Sequence, residues 1–116
     1  MKRGDIVLAL YPHASGTPSK RRPALVVQAD FYNQKISNVL LAPITSNLTR
    51  RNDPAHYFID ISTPDGKQSG LNQNSLVSCL NVGVVPVASV GPKIGELSPQ
   101  SLIEIDLCLK AAFGLR

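Results

Sequence analysis

Residues 98–114 read SPQSLIEIDLCLKAAFG, and their period sets the fold class. Ser98 is a residue type that caps helix N-termini, and Pro99 suits the first helical position, where its missing N–H has no partner to lose. Leu102, Ile105, Leu109, Ala112 and Phe113 follow near 3.6-residue spacing, so one face docks on a layer beneath. Gly114 closes the helix at its C-terminus. Upstream the pattern is different. Most of the chain's nine prolines and eight glycines lie there, and they cut it into short pieces as in a strand-rich fold. Strands are expected at 6–10, 24–28, 39–44 and 56–61, with one or two more over 76–80 and 82–90. Segment 24–28 (ALVVQ) is nearly all apolar and reads as a central strand. Pro43 puts the third strand at an edge or a bulge. Residues 12–22 form a polar loop, and Thr63-Pro64-Asp65-Gly66 is a turn. Five or six short strands before one C-terminal helix predict a mainly β fold, a small curled antiparallel barrel with the helix packed outside.

The 116 residues are 43% hydrophobic and 17% charged. That is the size and composition of one globular domain, 1–116, and not of a disordered tail or coiled coil. Apolar runs are too short for a transmembrane helix, and the run after the basic start is too short for a signal peptide. The expected location is the cytoplasm, with Cys79 and Cys108 as buried thiols. The net charge of +4 is uneven: residues 1–58 carry eight basic and three acidic side chains, residues 59–116 four and five. A basic half suits a polyanion, nucleic acid first, or serves solubility alone.

No pair among His13, His56, Cys79 and Cys108 has metal-ligand spacing, so no metal or other cofactor is expected. No phosphate-binding Gly-rich loop or nucleophile elbow is present. The informative order is Gly4-Asp5-Ile6-Val7, a polar loop, Arg21-Arg22-Pro23-Ala24-Leu25-Val26-Val27-Gln28, then Ala42-Pro43-Ile44-Thr45-Ser46 and Pro54-Ala55-His56. Asn74-Ser75, Ile94-Gly95-Glu96-Leu97-Ser98 and the closing Phe113-Gly114-Leu115 continue it. Over nearly the whole chain this order resembles the MazF/PemK (Kid-like) family of toxin endoribonucleases.

The resemblance implies an SH3-like barrel acting as a homodimer. It implies metal-independent cleavage of single-stranded RNA, chiefly mRNA, at a short sequence, which arrests translation and growth. The ribose 2′-OH attacks the adjacent phosphate, leaving a 2′,3′-cyclic phosphate and a 5′-OH. A cognate antitoxin blocks the same face. Such a reaction needs a base for the 2′-OH, donors for the phosphorane oxygens and an acid for the 5′ oxygen. Arg22 can offer a cationic fork and Thr45 a hydroxyl, with Ser46 beside it. These three match the family's catalytic positions.

Two departures stand out. The loop before Arg22 (Ser15-Gly16-Thr17-Pro18-Ser19-Lys20-Arg21) lacks the family's acidic residue, and Leu80-Asn81 stands where an acidic-Gln pair is common. Arg22 is one candidate for base or acid, a demanding role for a group that holds its proton so tightly, and His13 is either the base or a surface loop histidine, while His56 begins a strand and shapes its turn. Lys20, Arg21, Arg50 and Arg51 are expected on RNA phosphates. Tyr11, Phe31, Tyr32 and Tyr57 are stacking candidates, with core filling the better role for Tyr57 and Phe58. The rival reading, favoured by the missing carboxylates, is a non-catalytic binder of the same fold, such as a degenerate relative or a CcdB-like gyrase poison.

Overall fold

The computed structural model describes residues 1–10 and 20–116. Seven strands run β1 (Asp5–Ala9), β2 (Arg22–Val26), β3 (Asn38–Thr45), β4 (His56–Ile59), β5 (Ser75–Ser78), β6 (Gly83–Pro86) and β7 (Val90–Glu96). Helices are α1 (Asp30–Asn33), α2 (Pro64–Gln68) and α3 (Pro99–Phe113). Every pairing is antiparallel, in the order β4-β5-β3-β2-β1-β7, with β6 on β3. Among the described strands β4 and β7 do not pair, so the sheet is a barrel-like curl left open. No helix among the described residues is long and apolar enough to cross a membrane.

The centre of the sheet is buried on both faces. Ile6 stands opposite Leu25, and Leu25 opposite Ala42. This row joins Ile44, Val77, Ile105 and Cys108 in a core between sheet and α3. The alternate residues Val7, Ala24, Val26 and Leu41 meet Val39 and Val85 in a second core. Burial on two faces is why ALVV reads as a continuous apolar run.

α3 forms as its sequence dictates. Ser98 Oγ accepts from Ser101 N–H at 3.1 Å, Pro99 opens the first turn, and Gly114 takes the left-handed cap with φ 70°. A polar cluster fixes its start to the sheet. Tyr57 donates its hydroxyl to Ser101 Oγ (2.9 Å), while Ser98 and Ser101 hydroxyls donate to Asp65 Oδ2 (3.0 and 3.2 Å). Tyr57 therefore fills and fastens. At the N-terminal end Arg3 bonds Val27 O through Nε (3.1 Å) and Asp106 through Nη2 (2.7 Å).

Four expectations change. Pro43 is at neither an edge nor a bulge: β3 is interior, and its outer flank passes from β6 (up to Leu41) to β5 (from Ile44), so proline sits where that flank has no ladder partner. Thr63-Pro64-Asp65-Gly66 starts a short helix, because Thr63 Oγ1 caps Gly66 N–H (3.0 Å). Phe113 is 64% exposed; it is rotated about 100° past Ala112, and Cys108 fills the buried stripe instead. The last strand, β7 (VGPKIGE), has two glycines and a proline that hid it, and it holds by pairing with β1 across two register shifts.

Candidate nucleic-acid interface and active site

The β2–β3 register runs Val26↔Leu41, Leu25↔Ala42, Ala24↔Pro43. Carried two residues further, it sets Arg22 against Thr45, both exposed, where the two strands end. Directly opposed residues in antiparallel strands point to the same face. On that face lies an open cleft of about 1060 Å³ lined by Arg22, Thr45, Ser46, Arg50, His56 and Ser78 among others.

Thr45 Oγ1 accepts from Asn47 N–H at 3.1 Å. Its own proton has no acceptor among the described residues and can be given to a ligand. Asn47 Oδ1 in turn accepts from Thr49 N–H (3.0 Å) and Thr49 Oγ1 (2.6 Å). These side chain-to-backbone bonds turn the chain out of β3 and bring Arg50 to the cleft. Arg22 and Arg50 make no ion pair among the described residues. Among the described residues the cleft thus holds two guanidinium groups with no ion pair and a hydroxyl with no acceptor for its proton, a set suited to a phosphodiester.

β5 and the turn before β4 complete the wall. Thr45 faces Leu76, Leu76 faces Phe58, and Ser78 faces His56. Ser75 Oγ donates to Gln73 O (2.9 Å) and Asn81 Nδ2 to Ser78 Oγ (2.9 Å). Asn74 Oδ1 accepts from Ile61 N–H (2.9 Å), so Asn74 is a turn brace. His56 begins β4, and its N–H bonds Asp53 O (3.0 Å). His56 also lines the cleft, which sequence reasoning missed along with Asn47, Thr49 and Ser78. Two serines bracketing an apolar pair in Ser75-Leu76-Val77-Ser78 were the available signal.

The other proposed residues lie elsewhere. Arg21 reaches back to the carbonyls of Leu8 (3.4 Å) and Ser89 (3.5 Å). Arg51 lies 4.3 Å over the Phe58 ring, and Lys35 4.2 Å over Phe31. Tyr32 packs edge-on to Phe31 on exposed α1. Lys20 is exposed and does not line the cleft. Tyr11 and His13 lie outside the described residues. Cys79 and Cys108 are free and buried together; the neighbouring Cys108 sulfur and burial push the Cys79 thiol up, away from nucleophilic chemistry.

A small curled antiparallel sheet, closed on one side by a C-terminal helix and bearing a basic polar cleft where its strands end, defines a class of small toxins. Residues 2–113 match the family of PemK-like, MazF-like toxins of type II toxin-antitoxin systems, and the chain belongs to that family. Endoribonuclease MazF6 of Mycobacterium tuberculosis is 29% identical over 117 residues, covering 99% of this chain and 98% of that one. Endoribonuclease EndoA of Bacillus subtilis is 26% identical, covering 99% and 96%. The solved structure of the M. tuberculosis toxin MazF-mt6 superposes with a TM-score of 0.78 at 29% identity, covering 97% and 98%.

Proposed function

We propose that this toxin is an endoribonuclease, as its relatives are named, acting on single-stranded RNA in the cytoplasm as one domain, 1–116. The observation that carries it is Arg22 and Thr45 lining one cleft where β2 and β3 end, with no acceptor for the Thr45 proton among the described residues. Arg22 places its fork on the scissile phosphate, and Thr45 donates to a second non-bridging oxygen. Both bonds strengthen as charge builds on the phosphorane, which is the condition for lowering the barrier. Ser46 orients the same phosphate group. The 2′ oxygen displaces the 5′ oxygen and leaves a 2′,3′-cyclic phosphate. Arg50 holds a neighbouring phosphate, with Lys20, Arg21 and Arg51 adding to the positive field around it. Loss of intact mRNA stops translation and growth. A cognate antitoxin with acidic groups covers the cleft, and the toxin works as a homodimer.

Incubating the protein with a long transcript in EDTA tests this. Discrete fragments ending in 2′,3′-cyclic phosphate are expected. Intact RNA supports the rival, a binder of the same fold that has lost catalysis with its carboxylates.

A further inference from the structure

The loop before Arg22 and the Leu80-Asn81 pair supply no carboxylate, and His13, the loop's candidate for the base, lies outside the described residues. His56 is the one histidine lining the cleft among the described residues, and its side chain is only 3% exposed. Its Nδ1 stands 3.3 Å from Asp53 Oδ1. The approach is off the hydrogen-bond line, and Nδ1 is the only buried side-chain nitrogen or oxygen among the described residues with no hydrogen-bond partner. Asp53 itself is fixed, because Oδ1 accepts from Ala55 N–H at 2.8 Å. A small rotation of the ring aligns Nδ1–H with this carboxylate, which selects the tautomer whose Nε2 carries a lone pair.

The spacing fits a bound phosphodiester. His56 faces Ser78 on β5, and β5 lies beside β3, so the ring and Thr45 stand two strands apart. Ser78 is also two residues along β5 from Leu76, the partner of Thr45, so the two backbones stand about 12 Å apart. A chain from the Thr45 hydroxyl through a phosphate oxygen and phosphorus to the 2′ oxygen and an imidazole nitrogen spans at most about 10 Å, with each hydrogen bond near 2.8 Å and the attack distance near 3 Å, and the reach of the two cleft-lining side chains from their backbones closes the difference.

We propose that His56 is the general base of the reaction, positioned by Asp53; this rests on the endoribonuclease reading. Nε2 takes the proton of the 2′-OH as the 2′ oxygen bonds phosphorus. The P–O5′ bond breaks, and the 5′ oxygen takes a proton from water. The imidazolium, held against the Asp53 carboxylate, returns its proton to the resulting hydroxide, so nothing is consumed.

The experiment uses the full chain and a short oligonucleotide spanning a site mapped on a long transcript. A second oligonucleotide carries sulfur at the leaving 5′ position, which needs no acid. A third has a 2′-deoxy sugar at the cleavage position and reports binding. His56→Ala is expected to cut about 10²–10⁴-fold more slowly, to bind the deoxy strand as wild type does, and to regain rate when imidazole is added. The sulfur substrate should show the same defect. Asp53→Asn should lose less rate than His56→Ala and bind as tightly. If His56→Ala melts early, His56→Gln carries the same comparison. A wild-type rate overturns the proposal, as does a defect that follows binding and resists imidazole. A defect that disappears with the sulfur substrate makes His56 the acid instead, and overturns it too. Wild type that leaves the transcript intact overturns the endoribonuclease reading and the base with it.

Discussion

Arg22 and Thr45 end adjacent strands, so neither holds up the core, and their loss should be felt in rate. Arg22→Ala should lower single-turnover cleavage by about 10²–10³, the usual effect of losing one oxyanion donor, with much less change in RNA affinity. Thr45→Ala should behave alike, and Thr45→Ser, which keeps the hydroxyl, should retain most of the rate. Equal rates for Arg22→Ala and wild type would remove it from the chemistry. Asp53 has a stability signature as well. The Ala55 N–H, then the His56 side chain, hold its carboxyl below the ordinary 3.8. A carboxyl depressed by folding stabilises above its unfolded value and loses that contribution as pH falls through the folded value. The gap in denaturant midpoint between wild type and Asp53→Asn should therefore be widest above pH 3.8 and close below it. Arg22 and Thr45 were legible because each ends an apolar run in a recognisable order. His56 was not, because its place in the cleft depends on pairing with Ser78, 22 residues away, and no local pattern carries that register.

At the scale of elements, α3 was readable in its bounds, its caps and most of its stripe, with Phe113 exposed and Cys108 buried the exceptions. Its caps and stripe are local, and local rules settle them. Ile105 is fully buried in the core under this helix, so Ile105→Ala should cost roughly 2–5 kcal/mol in chemical denaturation. Ser98→Ala removes a cap and leaves Asp65 one donor short, at about 1 kcal/mol or more. Phe113→Ala, on an exposed side chain of the same helix, should fall within about 0.5 kcal/mol of wild type. A Phe113 cost as large as that of Ile105 would mean that the exposed face of α3 is covered in solution. β7 was illegible for the opposite reason. Glycine and proline lower its intrinsic strand preference, yet pairing with β1 and the Lys93 ammonium between Asp5 (3.2 Å) and Glu96 (3.0 Å) hold it in the sheet.

For the whole molecule, the basic half found in the sequence is spent unevenly. Arg3 ties the N-terminus to α3, and Arg51 covers Phe58, while Arg50 is left facing the cleft. Arg50→Ala should therefore reduce the salt dependence of RNA binding by about 0.7 in the log–log slope, the single-strand value for one phosphate contact. Arg51→Ala should reduce it less. An unchanged slope for Arg50→Ala would put the RNA on another face.

Apolar surface is uneven too, and it bears on assembly. Leu40 faces Val84 across β3 and β6, Val87 N–H bonds Ser37 O, and Ile36 N–H bonds Tyr32 O. Tyr32, Ile36, Leu40, Val84 and Val87 are exposed, and these pairings set their backbones near one another at the β3–β6 end of the sheet. A second, smaller set, Ile103 and Leu107, lies one turn apart on the outward face of α3. Isolated exposed apolar residues are ordinary, but a cluster of them on neighbouring elements of so small a protein suits a contact surface. A two-fold partner would also cover the second edge of β6, which has no strand partner among the described residues. Sedimentation should therefore give twice the chain mass at micromolar concentration. A buried apolar patch tolerates an unpaired charge poorly, so Val84→Asp on the first surface or Leu107→Asp on the second should release folded monomer. The variant that does so locates the interface. Wild type sedimenting as a monomer would show that neither patch is used by a second copy.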